Sequence, residues 1–259
     1  MFSTRSTLYL ATLGLLLLTA LGVAISDQES VFYIFNTEVG HLLPPEVWVG
    51  LTILGDTLVA LAIFVPFLLR HPKLSASTFL TIILASLWVH VFKDAFGFPR
   101  PAAVLPLDTF HVLGPIYKTG SFPSGHATTA FALATLMAQT APQTWVKLLI
   151  FFLGFFVALA RVMVGAHWPL DILAGAAGGI GAACFGIAFG QHLKSRFFEQ
   201  IFPLLLAPTV LALLFYPTPY DAGRFTLSIA VLLILLSIRP FMTLASAARE
   251  QWGLFRKAP

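Results

Sequence analysis

The feature that most constrains this chain is a succession of apolar runs, each near the length needed to cross a hydrocarbon layer, since ~30 Å takes about 20 helical residues. Up to eight candidate spans can be marked, at about residues 8–25, 48–69, 76–92, 127–141, 148–160, 171–192, 201–216 and 225–238. Composition agrees: 58% of the 259 residues are hydrophobic and 10% charged, where a soluble domain carries roughly 25% charged residues. A water-soluble enzyme is therefore disfavoured. The expected architecture is all-α, a polytopic transmembrane helical bundle. With no internal repeat, low-complexity segment or linker, residues 1–259 read as one integral membrane domain. The single cysteine, Cys184, rules out an intrachain disulfide and a cysteine-built metal site.

The distribution of charge sets an orientation. With the amino terminus inside and all eight spans, the cytoplasmic segments hold Arg5, Arg70, Lys73, Lys147, Lys194, Arg196, Arg239, Arg249, Arg256 and Lys257 against Glu199 and Glu250. The opposite side collects most of the acids, as the positive-inside rule requires. The net charge of +4 is thus topology rather than a nucleic-acid footprint, and no nucleic-acid partner is expected. Arg5 and the small residues around Ala24 also fit a cleaved signal peptide.

Between the first two spans, residues 26–47 carry Val31, Phe32, Ile34 and Phe35 among polar groups and end at Pro44 and Pro45, which predicts a short interfacial helix. The sixth span contains Gly175, Gly178, Gly179, Gly181, Gly186 and Gly190, two pairs of them at GxxxG spacing. Such a face suits close helix packing inside the bundle or a homodimer contact.

Three polar clusters fall on the non-cytoplasmic side. In the first, Lys93 and Arg100-Pro101 flank a stretch that Gly97 and Pro99 keep from continuing as regular helix; taken alone, these cations also read as snorkelling anchors. The second, Ser121-Phe-Pro-Ser124-Gly125-His126, is a turn into a helix, with Ser124 a candidate N-cap and the free N–H groups suited to a phosphate. A histidine merely satisfied in that turn is the plain alternative. In the third, Arg161, His167 and Asp171 join the fifth span to the sixth. Asp171, in the first turn after Pro169, can orient the His167 ring or serve only as a cap. Asp56, about eight residues inside the second span, is a lone intramembrane carboxylate. It suggests a transporter or lipid flippase, unless it bonds a neighbouring helix or backbone.

Jointly the clusters supply three cations, two histidines, a carboxylate and a helix amino terminus, an inventory that suits phosphoryl transfer. The residues offer little acidic clustering for magnesium and no zinc arrangement, which favours a mechanism without metal or cofactor.

The three motifs, Lys93 with Arg100-Pro101, Pro123-Ser124-Gly125-His126, and Arg161 with His167 and Asp171, resemble those of the type 2 phosphatidic acid phosphatase (PAP2) family of membrane lipid phosphatases. Their order agrees, with 21 residues between the first two and 34 between His126 and Arg161. The likeness covers about residues 76–192 and implies a six-helix core, with about two further spans at 201–241. It departs at Ala160, where the family's third motif usually has serine. The resemblance implies that His167 is the nucleophile, oriented by Asp171, and that His126 protonates the leaving oxygen. Lys93, Arg100, Arg161, Ser124 and Gly125 would hold the phosphate. The implied substrate is a lipid phosphate or diphosphate at the outer face of a bacterial inner membrane, with undecaprenyl diphosphate first. Phosphatidylglycerophosphate, phosphatidic acid, lipid A 1-phosphate and transfer to another lipid are the alternatives.

Overall fold

The computed structural model describes residues 27–193 throughout, together with residues 12, 14–16, 18, 19, 22, 196–202, 204, 208–215, 220 and 232. Most of the first candidate span, the eighth apart from residue 232, and residues 203, 205–207 and 216 of the seventh lie outside the described residues, so the extra C-terminal spans are not described as a pair. Among the described residues there is no strand.

The chain forms α1 (Gln28–Tyr33), α2 (Pro45–Leu54), α3 (Thr57–Arg70), α4 (Ser75–Phe96), the single turn α5 (Pro101–Val104), α6 (Gly125–Ala138), α7 (Thr144–Met163), α8 (Pro169–Gly190) and α9 (Pro208–Ala212). Three stretches, α4 with its flanking turns, α7 and α8, are long and apolar enough to cross a membrane, and the bent pair α2–α3 makes a fourth. The protein is an integral membrane helical bundle.

The second span is not continuous. At Gly55–Asp56 the axis bends by 65°, because Asp56 adopts an extended conformation and its Oδ1 accepts hydrogen bonds from the N–H groups of Leu58 (2.9 Å) and Val59 (3.4 Å). This is an N-cap, so a new helix starts inside the apolar run. Averaged hydropathy hides such a break.

Helix α1 and the helical turns after it, Ile34–Val39, bury one face against the bundle while Val31 and Ile34 on the other stay exposed. Phe32 is wholly enclosed, its ring 5.3 Å from those of Phe110 and Trp168. Asn36, also fully buried, donates through Nδ2 to the carbonyls of Val162 (2.9 Å), Met163 (3.0 Å) and His111 (3.1 Å). Its side chain closes carbonyls that the carboxyl end of α7 leaves open.

Helix α8 is the axis of the bundle, packed most extensively on α6 and α4. Its two GxxxG pairs face different partners. A Cβ on Gly175 would come within 2.6 Å of the Ser124 carbonyl and 2.8 Å of Ala127 Cβ, at the start of α6. A Cβ on Gly190 would meet Ser77 Oγ at 2.7 Å, and one on Gly186 the Ser77 carbonyl at 2.7 Å, both on α4. The glycines therefore bring two helices of the same chain to backbone distance. Helix α6, 14 residues long, extends only about 21 Å at 1.5 Å per residue. Its amino terminus accordingly opens inside the bundle, where a cavity has room.

Candidate active site

That amino terminus forms one wall of a cavity of about 200 Å³. Each sequence cluster contributes to it from a different element.

Helix α4 delivers Lys93 in its last turn and stops at Gly97, whose left-handed backbone (φ +57°) turns the chain toward Arg100. Arg100 is not a snorkelling anchor: it is 8% exposed. Its Nε donates to the Thr119 carbonyl (2.9 Å), Nη1 to Ala166 (3.0 Å) and Nη2 to Gly120 (3.2 Å), and the guanidinium carbon lies 5.0 Å from the centre of the Tyr117 ring. Backbone carbonyls thus fix the plane of the guanidinium while leaving its charge uncancelled. Arg161, in the last turn of α7, is 3% exposed and donates through Nη1 to Thr52 Oγ1 (2.7 Å) and Tyr220 Oη (2.9 Å). Its Nε is buried with no partner among the described residues.

Ser124 caps α6, its Oγ accepting from the Ala127 N–H at 3.4 Å, while its own N–H donates to the Asp171 carbonyl at 3.0 Å. Its side chain is wholly buried at this joint, and on this side the cavity is lined by Gly125 and His126. Gly55 packs against His126, where a Cβ would lie 3.2 Å from the His126 Cβ and Cδ2.

After α7, Gly165 (φ +76°) reverses the chain, and the N–H groups of Ala166 and His167 both donate to the Arg161 carbonyl. His167, 2% exposed, places Nδ1 3.1 Å from Asp171 Oδ2. The same oxygen accepts from the Trp168 N–H (2.8 Å) and from Ser121 Oγ (2.5 Å). A carboxylate facing Nδ1 holds the proton there and leaves Nε2 with its lone pair. Burial, reinforced by the charges of Arg100, Arg161, Lys93 and His126, holds the His167 pKa well below its ordinary 6.5, so the ring rests neutral. A neutral imidazole among cations is the form that can attack phosphorus.

Lys93, Arg100, His126, Arg161, His167 and Gly125 therefore converge on one cavity, with Asp171 behind His167 and Ser124 behind the turn. Thr52, Tyr117 and Tyr220 carry no local sequence signal and reach the site only through tertiary approach. Ser121 was visible in its motif but without a role. Ala160, where a serine was missing, is fully buried in the apolar core with Phe32 and Trp48 and does not line the cavity, so its methyl removes nothing from the wall. Asp56 lines the cavity from the break between α2 and α3, not from within a helix.

The helical membrane bundle thus holds a cavity lined by Lys93, Arg100 and Arg161 and backed by a histidine–carboxylate pair. The chain matches the family model of the PAP2 superfamily over residues 75–195. It is 34% identical over 114 residues to a lipid A 1-phosphatase of Rhizobium etli, a match covering 41% of this chain and 46% of that protein. It is 30% identical over 106 residues to an undecaprenyl-diphosphatase of Sulfolobus acidocaldarius, covering 41% and 50%. The chain thus spans about half the length of these curated relatives. Among solved structures it resembles LpxE of Aquifex aeolicus, at 28% identity and a TM-score of 0.51, over 61% of this chain and 93% of that one.

Proposed function

We propose that the protein is a membrane lipid phosphatase acting through a phosphohistidine. The observation that carries this reading is the neutral, carboxylate-held His167 facing a cavity walled by Lys93, Arg100 and Arg161. His167 Nε2 attacks phosphorus and the bond to the lipid oxygen breaks. His126, entering the cycle protonated, gives that oxygen its proton, so the lipid leaves as a neutral alcohol, or as the lipid phosphate where the substrate is a diphosphate. The three cations and the Gly125 N–H, at the amino end of α6, take the charge of the equatorial oxygens. Ser124 supports them by holding the helix start. Water then attacks the phosphohistidine with His126 as base, releasing phosphate, freeing His167 as the neutral imidazole and returning His126 to its protonated form.

The lipid enters sideways. A second, narrower cavity of about 110 Å³ runs between α3, α4 and α6, lined by Leu61, Ile82, Leu133 and Leu136 among others, and shares Gly125 with the first. It suits a hydrocarbon tail leading away from the phosphate. The charge asymmetry of the sequence supports a site on the outer face of a bacterial inner membrane. Undecaprenyl diphosphate, expected from the sequence, has the support of the Sulfolobus relative's name; lipid A 1-phosphate has that of the Rhizobium relative.

The deciding experiment is phosphate release from a panel of lipid phosphates in detergent, coupled to trapping of the phosphoenzyme. Wild type should yield an acid-labile, alkali-stable adduct on His167, and His167→Ala neither adduct nor phosphate. Turnover by His167→Ala at the wild-type rate, or no release from any lipid, overturns the reading.

A further inference from the structure

The two arginines of the cavity are tied down differently. Arg100 gives Nε, Nη1 and Nη2 each to a backbone carbonyl. Arg161 makes both of its hydrogen bonds through one nitrogen: Nη1 donates to Thr52 Oγ1 at 2.7 Å and to Tyr220 Oη at 2.9 Å, which uses both Nη1 hydrogens. Its Nε and Nη2 have no protein partner among the described residues. These two nitrogens share one edge of the guanidinium plane, where their N–H bonds run side by side and match two oxygens of a phosphate. Thr52 and Tyr220 belong to none of the three motifs, and both lie outside residues 75–195, the stretch that matches the family model. Each is firmly held. Thr52 is wholly buried in the last turn of α2, just before the break at Gly55. The Tyr220 ring packs against the cluster of Ile53, Val59 and Leu213. On its other side Gly114, with a left-handed backbone (φ +93°), leaves room for the ring, since a Cβ there would come within 2.6 Å of Tyr220 Cδ1.

We propose that Thr52 and Tyr220 are positioning residues, whose hydroxyls set the plane of the Arg161 guanidinium so that its Nε–Nη2 edge clamps the phosphoryl group during transfer. The inference rests on the phosphatase reading of the cavity, which Arg161 and Tyr220 both line. Its physical basis is preorganisation: an edge fixed in advance meets the equatorial oxygens without having to reorient as their charge develops. Hydroxyl oxygens suit the task because they accept from Nη1 without cancelling the charge that the phosphate needs. The buried Nε gives the second reason. A buried N–H without a partner is costly, and a phosphate oxygen at this edge would supply one. The bent span and the segment carrying Tyr220 are thereby working parts of the catalytic site.

The test uses near-isosteres in the full chain, purified in detergent. Thr52→Val and Tyr220→Phe each remove a hydroxyl and keep the packing, while Thr52→Ser keeps the oxygen. Thr52→Val and Tyr220→Phe should each lower kcat on a lipid phosphate about tenfold with KM changed less than about threefold, because orientation of a charged group counts most in the transition state. Thr52→Ser should retain most of the wild-type rate. Arg161→Lys keeps the charge but has no planar edge to orient, so adding Thr52→Val or Tyr220→Phe to it should cost less than about twofold more. The affinity for orthovanadate, a mimic of five-coordinate phosphorus, should show the same pattern by calorimetry without needing turnover. Wild-type kinetics in both Thr52→Val and Tyr220→Phe overturn the inference. So does a further loss of about tenfold in the Arg161→Lys background, which would give the hydroxyls a task apart from the guanidinium. A melting temperature that falls in step with activity, and that Thr52→Ser does not restore, is the mark of packing alone and overturns it too. Each of these results leaves the phosphatase reading standing, whereas no phosphate release from any lipid by wild type removes that reading and this inference with it.

Discussion

Ser121 Oγ donates to Asp171 Oδ2 at 2.5 Å, on the same oxygen that faces His167 Nδ1 at 3.1 Å. The carboxylate is thereby held from the turn before α6 as well as from its own helix, and the His167 ring direction depends on both. Ser121→Ala should keep the fold, since Trp168 N–H still holds Asp171, and lower kcat about tenfold with KM little changed. Asp171→Asn, which loses the charge and the tautomer control, should cost ~10²–10⁴ in kcat. A KM effect without a kcat effect at Ser121 would contradict the positioning role.

The neutral resting state of His167 has a pH signature. Its folded pKa lies well below 6.5, chiefly through burial and then through the nearby cations. In the unfolded chain the ring takes up a proton near 6.5. Stability from this group is therefore complete above about pH 6.5 and declines as pH falls toward the folded pKa, because only the unfolded state binds the proton there. Reactivity should follow the same limb. Carbethoxylation of His167 by diethyl pyrocarbonate, read by mass spectrometry in a His126→Asn background, requires the neutral ring and should have its midpoint below 6.5. A midpoint at or above 6.5 would show that the ring is not held neutral.

The backbone contact between α6 and α8 predicts an effect of a single methyl. Gly175→Ala must push Ser124 and Ala127 away, displacing the turn that carries His126. Overpacking of this kind costs about 1–3 kcal/mol, so the variant should melt lower in detergent and lose activity together. Gly181→Ala, where the added Cβ meets only the Thr12 side chain at 3.3 Å, should stay close to wild type. Equal behaviour of the two would mean that the helix contact does not position the site.

What the sequence disclosed and what it hid divide along a physical line. In a chain this apolar, a charge or histidine away from the cytoplasmic loops stands out, so Lys93, Arg100, His126, Arg161, His167 and Asp171 were legible, as was the packing role open to the glycines. Hydroxyls do not stand out. Thr52, Ser121 and Tyr220 act by reaching across elements that no local pattern connects, with 109 residues separating Thr52 from Arg161. The break at Gly55–Asp56 was masked by the apolar residues around it, and Asn36 by an amphipathic segment in which a polar residue looks ordinary.

Sidedness decides which leaflet supplies the lipid, and it rests on charge rather than on the fold. Arg70, the last residue of α3, and Lys73 flank and occupy the short connection between α3 and α4, the setting in which positive residues mark the cytoplasmic side most reliably. Asp108 lies in the loop at the opposite end of α4 and is exposed. In a Cys184→Ala background, which removes the buried native thiol, Asp108→Cys should react with a membrane-impermeant thiol reagent added to intact cells, and Lys73→Cys should react only after lysis. The two positions flank one membrane-crossing helix, so each serves as the control for the other. Labelling of Lys73→Cys in intact cells, with Asp108→Cys protected, would invert the protein. The cationic cavity would then open to the cytoplasmic leaflet, and the proposed chemistry would act on lipid phosphates there.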